Sequence, residues 1–182
     1  MKTRIDLILI AFLLVMACTS QQGERASSLE DTRPKGQASV VDEESDKNIL
    51  QVAISSEDHS TLVAAVEAAG IEHILVNAGP LTVFAPVNSA FDNLPPGTVT
   101  DLLKPENKGK LAGVLTKHAA PGSFDIPYLK KEAERGRRLY MADGSYLDIT
   151  IEGEDVYVSG AKVLASVQTS NGIVNVVDKV IL

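Results

Sequence analysis

The sequence predicts an α+β domain in which a mainly antiparallel sheet packs against several N-terminal helices. Two patterns predict this fold class. Between residues 46 and 121 most apolar residues recur at helical spacing, whereas after Gly122 they alternate, as Leu147, Ile149 and Ile151 do. The chain has 182 residues, of which 45% are apolar, so it can bury a substantial core but is too short for two ordinary domains.

The helices are predicted from their end signals. Four residues are placed to cap a helix by accepting backbone N–H groups: Asp46, Ser60, Asn88 and Thr98. Asp101 would complete a capping box with Thr98, and Gly70 supplies the left-handed residue that ends the second helix. Pro105 suits the first turn of a later helix, whose apolar face includes His118.

The strands are predicted from β-branched residues and turn signals. Residues 81–85 form a strand that Pro86 ends. Asp143-Gly144 and Asn171-Gly172 are turn signals, and the apolar run that follows, 173–182, is typical of a central strand. Alternation is therefore expected to replace helical spacing after Gly122.

The first 17 residues predict an export signal. Lys2 and Arg4 precede an apolar run, 5–15, that is too short to span a bilayer, for which about 20 apolar residues are needed. The sequence LVMAC at 14–18 resembles the bacterial lipobox, although Met16 is bulkier than usual there. The resemblance implies cleavage before Cys18 and the attachment of acyl groups to this cysteine. Several acyl chains would make a durable membrane anchor. The alternative is that Cys18 is only a small apolar residue of the signal.

Residues 18–45 are interpreted as the lipidated cysteine and a disordered tether, and residues 46–182 as the globular domain. The segment is rich in Ser, Gln, Gly and Glu, and its r.m.s. reach would be on the order of 30 Å. We expect the chain to be exported and lipid-anchored in the bacterial envelope. Thr19 is not the Asp that retains some lipoproteins at an inner membrane, which favours the outer membrane or cell surface over a periplasmic face.

Two blocks of the chain, LTVFAPVNSAF at 81–91 and NGIVNVVDKVIL at 171–182, resemble the signature blocks of the fasciclin domain family. The resemblance extends over residues 46–182. It implies a wedge-shaped α+β fold, an extracellular or envelope location, and adhesion to cells, matrix or glycans without a cofactor. Two departures count against animal-type receptor binding: Lys117 stands where the family often has Tyr before His118, and Asn175 stands where it has His.

The residues that carry the resemblance are interpreted as structural rather than ligand-binding. Asp178, for example, lies among apolar residues and would need backbone donors or a cation, because an unpaired buried carboxylate is costly. The full set is Thr82, Phe84, Ala85, Pro86, Asn88, Phe91, His118, Asn171, Gly172 and Asp178.

The sequence gives no sign of an enzyme, a metal site or a cofactor site. It lacks a G-x-S-x-G elbow and a phosphate-binding loop, and its histidines, His59, His73 and His118, do not have metal-ligand spacing. The single cysteine excludes an intramolecular disulfide. The net charge of −7 disfavours nucleic acid as a partner.

A basic segment interrupts this acidic chain. Its members are Lys130, Lys131, Arg135, Arg137 and Arg138. Arginine forks fit carboxylate, sulfate or phosphate groups, so acidic glycans or lipid head groups are candidate ligands. The alternative is an ordinary solvated segment whose cations pair with Glu132 and Glu134.

The sequence therefore predicts a non-enzymatic adhesion module that is anchored at Cys18 and binds a cell-surface or matrix protein or glycan. The second hypothesis is a periplasm-facing lipoprotein that binds a partner protein or a small apolar ligand. No residue constellation supports a third, a hydrolase.

Overall fold

The computed structural model describes residues 46–77 and 79–182. The predicted signal, Cys18 and the tether lie outside the described residues. The helices of the described part are α1 (Ile49–Ile54), α2 (Ser60–Ala69), α3 (Glu72–Val76), α4 (Asn88–Asp92), α5 (Thr98–Leu102), α6 (Lys108–Lys117) and α7 (Ile126–Glu134). Short 3₁₀ turns at Glu57–His59 and Pro105–Asn107 precede α2 and α6.

The strands form one sheet in the order β2-β1-β7-β6-β5-β4-β3. They are β1 (Leu81–Pro86), β2 (Ala119–Pro121), β3 (Arg138–Tyr140), β4 (Tyr146–Glu152), β5 (Asp155–Val158), β6 (Ala161–Thr169) and β7 (Gly172–Val177). Only β1 and β7 pair in parallel within this described sheet; the other pairs are antiparallel. The predicted α+β class is confirmed.

Apolar side chains of β1 and β7 alternate between two cores. Val83 and Val174 belong to the helical core, together with apolar residues of α1, α2, α3 and α6. Phe84 and Val177 belong to the hairpin core, together with apolar residues of α7 and of β3 to β6. Because successive side chains point to opposite faces, a strand that is buried on both faces needs an almost continuous apolar run.

Helix α7 was not predicted, and the expected change from helical spacing to alternation after Gly122 is wrong over Ile126–Glu134. The Asp125 carboxylate caps this helix by accepting the Tyr128 N–H at 2.9 Å, and Pro127 lies in its first turn. Leu129 turns into the hairpin core and Ala133 packs against it. These residues are standard helix-start and spacing signals, which the alternating pattern farther along the chain obscured.

None of the four caps expected from the sequence forms as predicted. Asn48, not Asp46, caps α1, in a capping box with Gln51. Neither Ser60 nor Thr98 forms a cap through its side chain; Asp101 instead accepts from Lys104 Nζ at 2.7 Å. Gly70 ends α2 in the left-handed region, at φ +66°, as predicted.

Candidate binding surface

The turn between β1 and α4 holds helix α2 through the amide of Asn88. Its Oδ1 accepts the Thr61 N–H at 3.0 Å, and its Nδ2 donates to the Glu57 carbonyl at 2.9 Å. Asn88 was expected to cap its own helix, but α4 has no side-chain cap. The amide therefore satisfies backbone groups of the neighbouring helix, which locks α2 to the end of β1.

Two further motif residues pair backbone groups that are distant in sequence. The Thr82 hydroxyl donates to the Gly122 carbonyl at 2.8 Å and accepts the Phe124 N–H at 2.9 Å. The Asn171 amide accepts the Ile49 N–H at 3.0 Å and donates to the Leu75 carbonyl at 2.8 Å. Each side chain thus fastens a loop or helix to the central strands.

Gly172 lies where β7 begins beside β1. A Cβ at this position would lie 1.8 Å from the Leu81 carbonyl oxygen, so only glycine allows the two backbones to approach this closely. Asp178, just after β7, accepts the Lys162 N–H at 2.7 Å and is partly buried. The remaining motif side chains, Phe84, Ala85, Pro86 and Phe91, are buried or packed against the cores.

His118 ends α6 with only 3% of its surface exposed. Its Nδ1–H donates to the Val114 carbonyl at 2.9 Å, which leaves Nε2 to accept the Ile181 N–H at 2.9 Å. Burial lowers the pKa of His118 below its ordinary value, because an imidazolium there would lose its hydration. The neutral ring thereby joins α6 to the C-terminal residues.

Asn175, at the position where the family has His, is fully buried. Its Oδ1 accepts from Ser166 Oγ at 2.7 Å and its Nδ2 donates to the Phe124 carbonyl at 2.8 Å. Together with Thr82, it holds the loop before α7 against the sheet. An exposed ligand cannot reach this amide.

The basic segment is divided between two elements. Arg135 and Arg137 both pair with Glu132, with N–O distances of 3.1 Å, while Arg138 pairs with Asp148 at 2.6 Å. Lys130 and Lys131 lie on α7, and no carboxylate of the described residues pairs with either. The segment is thus largely self-neutralised, and its two lysines are the cations that remain available.

An exposed aromatic and ionic cluster lies on the outer side of the β3–β4 hairpin. We call it the hairpin face; its members are Arg138, Tyr140, Tyr146 and Asp148. Cross-strand pairing sets Tyr140 opposite Tyr146, with ring centroids 5.2 Å apart and side chains 49% and 54% exposed. The Arg138 guanidinium lies 5.9 Å from the centroid of the Tyr146 ring, and its Nη2 donates to the Tyr146 carbonyl at 2.8 Å.

The family model for the fasciclin domain matches residues 57–182, which is most of the chain and nearly all of the described fold. The chain belongs to the fasciclin domain family. Its two signature blocks are β1 with the start of α4, and β7 with the C-terminal residues. The structure places the side chains of these blocks in cores and in hydrogen bonds that hold the fold together.

Similar proteins include bacterial relatives and an animal structure. Protein sll1483 of Synechocystis sp. is 41% identical over 157 residues, which are 86% of this chain and 84% of that protein. Cell surface glycolipoprotein MPB83 of Mycobacterium bovis is 34% identical over 117 residues, 59% of this chain and 46% of that protein. The FAS1 domain pair of the insect cell adhesion molecule fasciclin I aligns with a TM-score of 0.68 at 17% identity, covering 75% of this chain and 51% of the pair.

The helical layer of this fasciclin domain contains two apolar cavities of about 30 Å³ each. Leu62, Leu115 and His118 border both of them. This volume is about the share of one water molecule in the liquid, whereas ligand pockets usually measure about 300–1,000 Å³. The cavities therefore give little room to a small apolar ligand.

A wider groove of about 530 Å³ lies at the end of β6, with an uncharged lining that includes Asn48, Ser123, Gln168, Thr169 and Ser170. Over residues 46–77 and 79–182, no three His, Cys, Asp or Glu side chains come together to hold a metal ion. None of the helices in this part of the chain is both long enough and apolar enough to cross a membrane.

The hairpin face was not predicted as a site. The alternation of β4 places Tyr146 and Asp148 on its polar side, which could have indicated an exposed tyrosine. Strand β3 has only three residues, too few for its pairing with β4 to be read from a pattern. The proximity of Arg138 and Tyr140 to that side therefore emerges only from the strand register.

Proposed function

We propose that this fasciclin domain is a non-enzymatic adhesion module, which an acyl anchor at Cys18 holds on the outer surface of the bacterial envelope. It binds a cell-surface or matrix protein or glycan through the hairpin face. The observation that carries this proposal is the exposure of Tyr140 and Tyr146 beside Arg138. Tyrosine and arginine dominate the energetics of binding surfaces, and two rigid strands hold these side chains in place.

Replacing both Tyr140 and Tyr146 by Ser tests the hairpin face. We expect cells that display the variant to attach to a lawn of their own species, or to surfaces coated with collagen or dextran sulfate, at least about tenfold less than cells with the native chain. Tyr128→Ser is the matched control, because Tyr128 is also exposed but lies on α7. Equal attachment by the double variant on every surface would overturn the proposed site.

The anchor and its orientation are tested by protease shaving of intact cells. We expect the native chain to be cleaved while it is cell-bound, and Cys18→Ser to be released or left unprocessed. The lipobox resemblance supports this expectation, as does the similarity to MPB83, a cell surface glycolipoprotein. Protection of the native chain until the outer barrier is opened would favour the periplasm-facing alternative, with a partner protein as its ligand.

The basic segment is a second candidate surface, for sulfated or carboxylated glycans and lipid head groups. Lys130 and Lys131 support it, since they have no carboxylate partner in the described structure. Dextran sulfate should bind in a salt-sensitive manner, and Lys130→Ser with Lys131→Ser should weaken binding more than Arg137→Ser with Arg138→Ser. Binding that neither double variant reduces would exclude this surface.

A further inference from the structure

The C-terminal half of β6 is an open edge of the sheet. Strand β5 pairs with β6 only at Ala161 and Lys162, whereas β7 pairs with it as far as Thr169. A register shift between Val163 and Ala165 separates the two parts of the strand. Residues 165–169 thus have a paired neighbour on one side only, within the part of the chain that the structure describes.

This open edge presents both hydrogen-bonding groups and apolar side chains. Successive backbone groups of a strand point to alternate sides, so about half of those in residues 165–169 face away from β7. Val167 is 39% exposed and Leu164, in the irregular stretch, is 49% exposed. A row of unpaired backbone groups is a template for another strand, and an extended backbone satisfies such a row best.

The edge also lacks the charged residues and proline that commonly protect an open strand. Proteins commonly guard such edges with Lys or Pro, or with other charges. Residues 163–170, VLASVQTS, contain neither, although 23% of the whole chain is charged. An incoming strand with charged side chains would find no counter-charge here, whereas an uncharged strand of β-forming residues would fit.

We propose that the β6 edge pairs with the β6 edge of a second copy of this chain, antiparallel about a twofold axis through Val167. In this register Val167 faces Val167 of the other copy, Ser166 faces Gln168, and Ala165 faces Thr169. No charged residue faces a like charge, and the central contact is apolar. The uncharged groove at the end of β6, which includes Gln168 and Ser170, leaves this end of the strand accessible.

The dimer is weak, and its affinity rises with the salt concentration. Pairing over five residues offers far less than the roughly 800 Å² per partner of a standard interface. Because each copy carries a net charge of −7, added salt screens their mutual repulsion and strengthens the dimer. Crowding of anchored chains on the envelope would favour pairing further; only this last point rests on the proposed function.

Sedimentation of the full chain carrying Cys18→Ser tests the dimer. We expect a concentration-dependent monomer–dimer equilibrium that tightens with salt. Val167→Lys, which places two ammonium groups face to face, should raise the dissociation constant at least about tenfold. Ile54→Lys is the matched control, because Ile54 is 57% exposed on α1, away from β6, and should change nothing.

A thiol cross-link then tests the register. In the same Cys18→Ser background, Val167→Cys carries the only cysteine of the chain. Copper-phenanthroline should oxidise two facing thiols to one disulfide and give a covalent dimer, whereas Thr150→Cys, on the exposed side of β4, should stay monomeric. A native chain that remains monomeric at millimolar concentration, or a dimer indifferent to Val167→Lys and to the thiol position, would overturn the proposal.

Discussion

At the scale of single residues, the family motif is a set of polar side chains that satisfy backbone groups of other elements. Asn88, Asn171, Thr82 and His118 each bond backbone atoms of at least one segment distant in sequence. Buried backbone groups without partners are costly, and these side chains supply partners where loops and helix ends lack them. The motif residues therefore hold loops and helix ends to neighbouring parts of the fold.

Loss of the Asn88 amide should destabilise the domain. We expect Asn88→Ala to lower the free energy of unfolding by about 1–2 kcal/mol, because the Thr61 N–H and the Glu57 carbonyl both lose a partner. Asn93→Ala is the control: its exposed amide bonds only the Ser89 carbonyl of its own helix, so a loss within about 0.5 kcal/mol is expected. Urea unfolding measures both losses. Equal losses would contradict the conclusion that the Asn88 amide holds α2 to the end of β1.

Protonation of His118 should make the domain sensitive to acid. Burial lowers the folded-state pKa of His118, and also that of His59, so the unfolded chain binds more protons than the folded one as pH falls through about 6.5. Stability is therefore complete above neutral pH and declines below about pH 6.5, with a slope of up to about 1.4 kcal/mol per pH unit for each group.

The pH dependence of urea unfolding between pH 5 and 8 checks this prediction. His118→Gln should be less stable at pH 8 but should show a shallower slope, since one of the two buried histidines is gone. A native chain whose stability rises on acidification would contradict the neutral state of His118.

At the scale of elements, the close approach of β1 and β7 depends on a missing side chain. We expect Gly172→Ala to lower the free energy of unfolding by more than about 3 kcal/mol, because its Cβ would collide with the Leu81 carbonyl oxygen. Two paired central strands cannot separate without disrupting both cores. Thermal or urea unfolding measures the loss.

Gly113→Ala is a matched control that should raise, not lower, the free energy of unfolding. Gly113 lies within α6 and a Cβ there would meet nothing within 4 Å. Alanine is a better helix former, so a gain of about 0.5–1 kcal/mol is expected. If both substitutions had the same effect, the contact between Gly172 and β1 would not be what requires glycine.

The elements also show why the sequence predicted some parts and not others. Helical periodicity predicted the helices before Gly122, and β-branched residues and a continuous apolar run predicted β1 and β7, since burial imposes these patterns. The same reading missed α7, although Leu129 of that helix is buried in the hairpin core. It could not reveal that Asn88 caps α2 rather than α4, because a cap between elements depends on their packing. The pairing of Tyr140 with Tyr146 was hidden for the same reason: it is a property of strand register.

At the scale of the whole molecule, the first signature block binds the two cores together. Val83 and Phe84 are adjacent in β1, yet they belong to different cores. The same strand contacts β2 and β7, and the turn that follows it holds α2. The surfaces proposed for binding, which are the hairpin face, the basic segment and the β6 edge, lie outside these contacts and can vary without disturbing them.

Two truncations test whether the folded domain begins at residue 46. A chain that begins at Asp46 keeps the Lys47 carbonyl, which accepts the Ser170 N–H at 3.1 Å, and all of α1. We expect its free energy of unfolding to match that of the full chain within about 0.5 kcal/mol. A chain that begins at Ser55 loses the buried side chains of Ile49 and Leu50, each worth about 1.5–3 kcal/mol.

That loss, about 3–6 kcal/mol for the two side chains, is a large fraction of the 5–15 kcal/mol by which domains are typically stable, so the shorter chain should unfold at a much lower urea concentration, as followed by circular dichroism. The pair of truncations separates two roles for the N-terminal region. If the chain from Asp46 were itself destabilised by more than about 1 kcal/mol, residues before 46 would belong to the folded domain. They would then not act only as a signal and a tether.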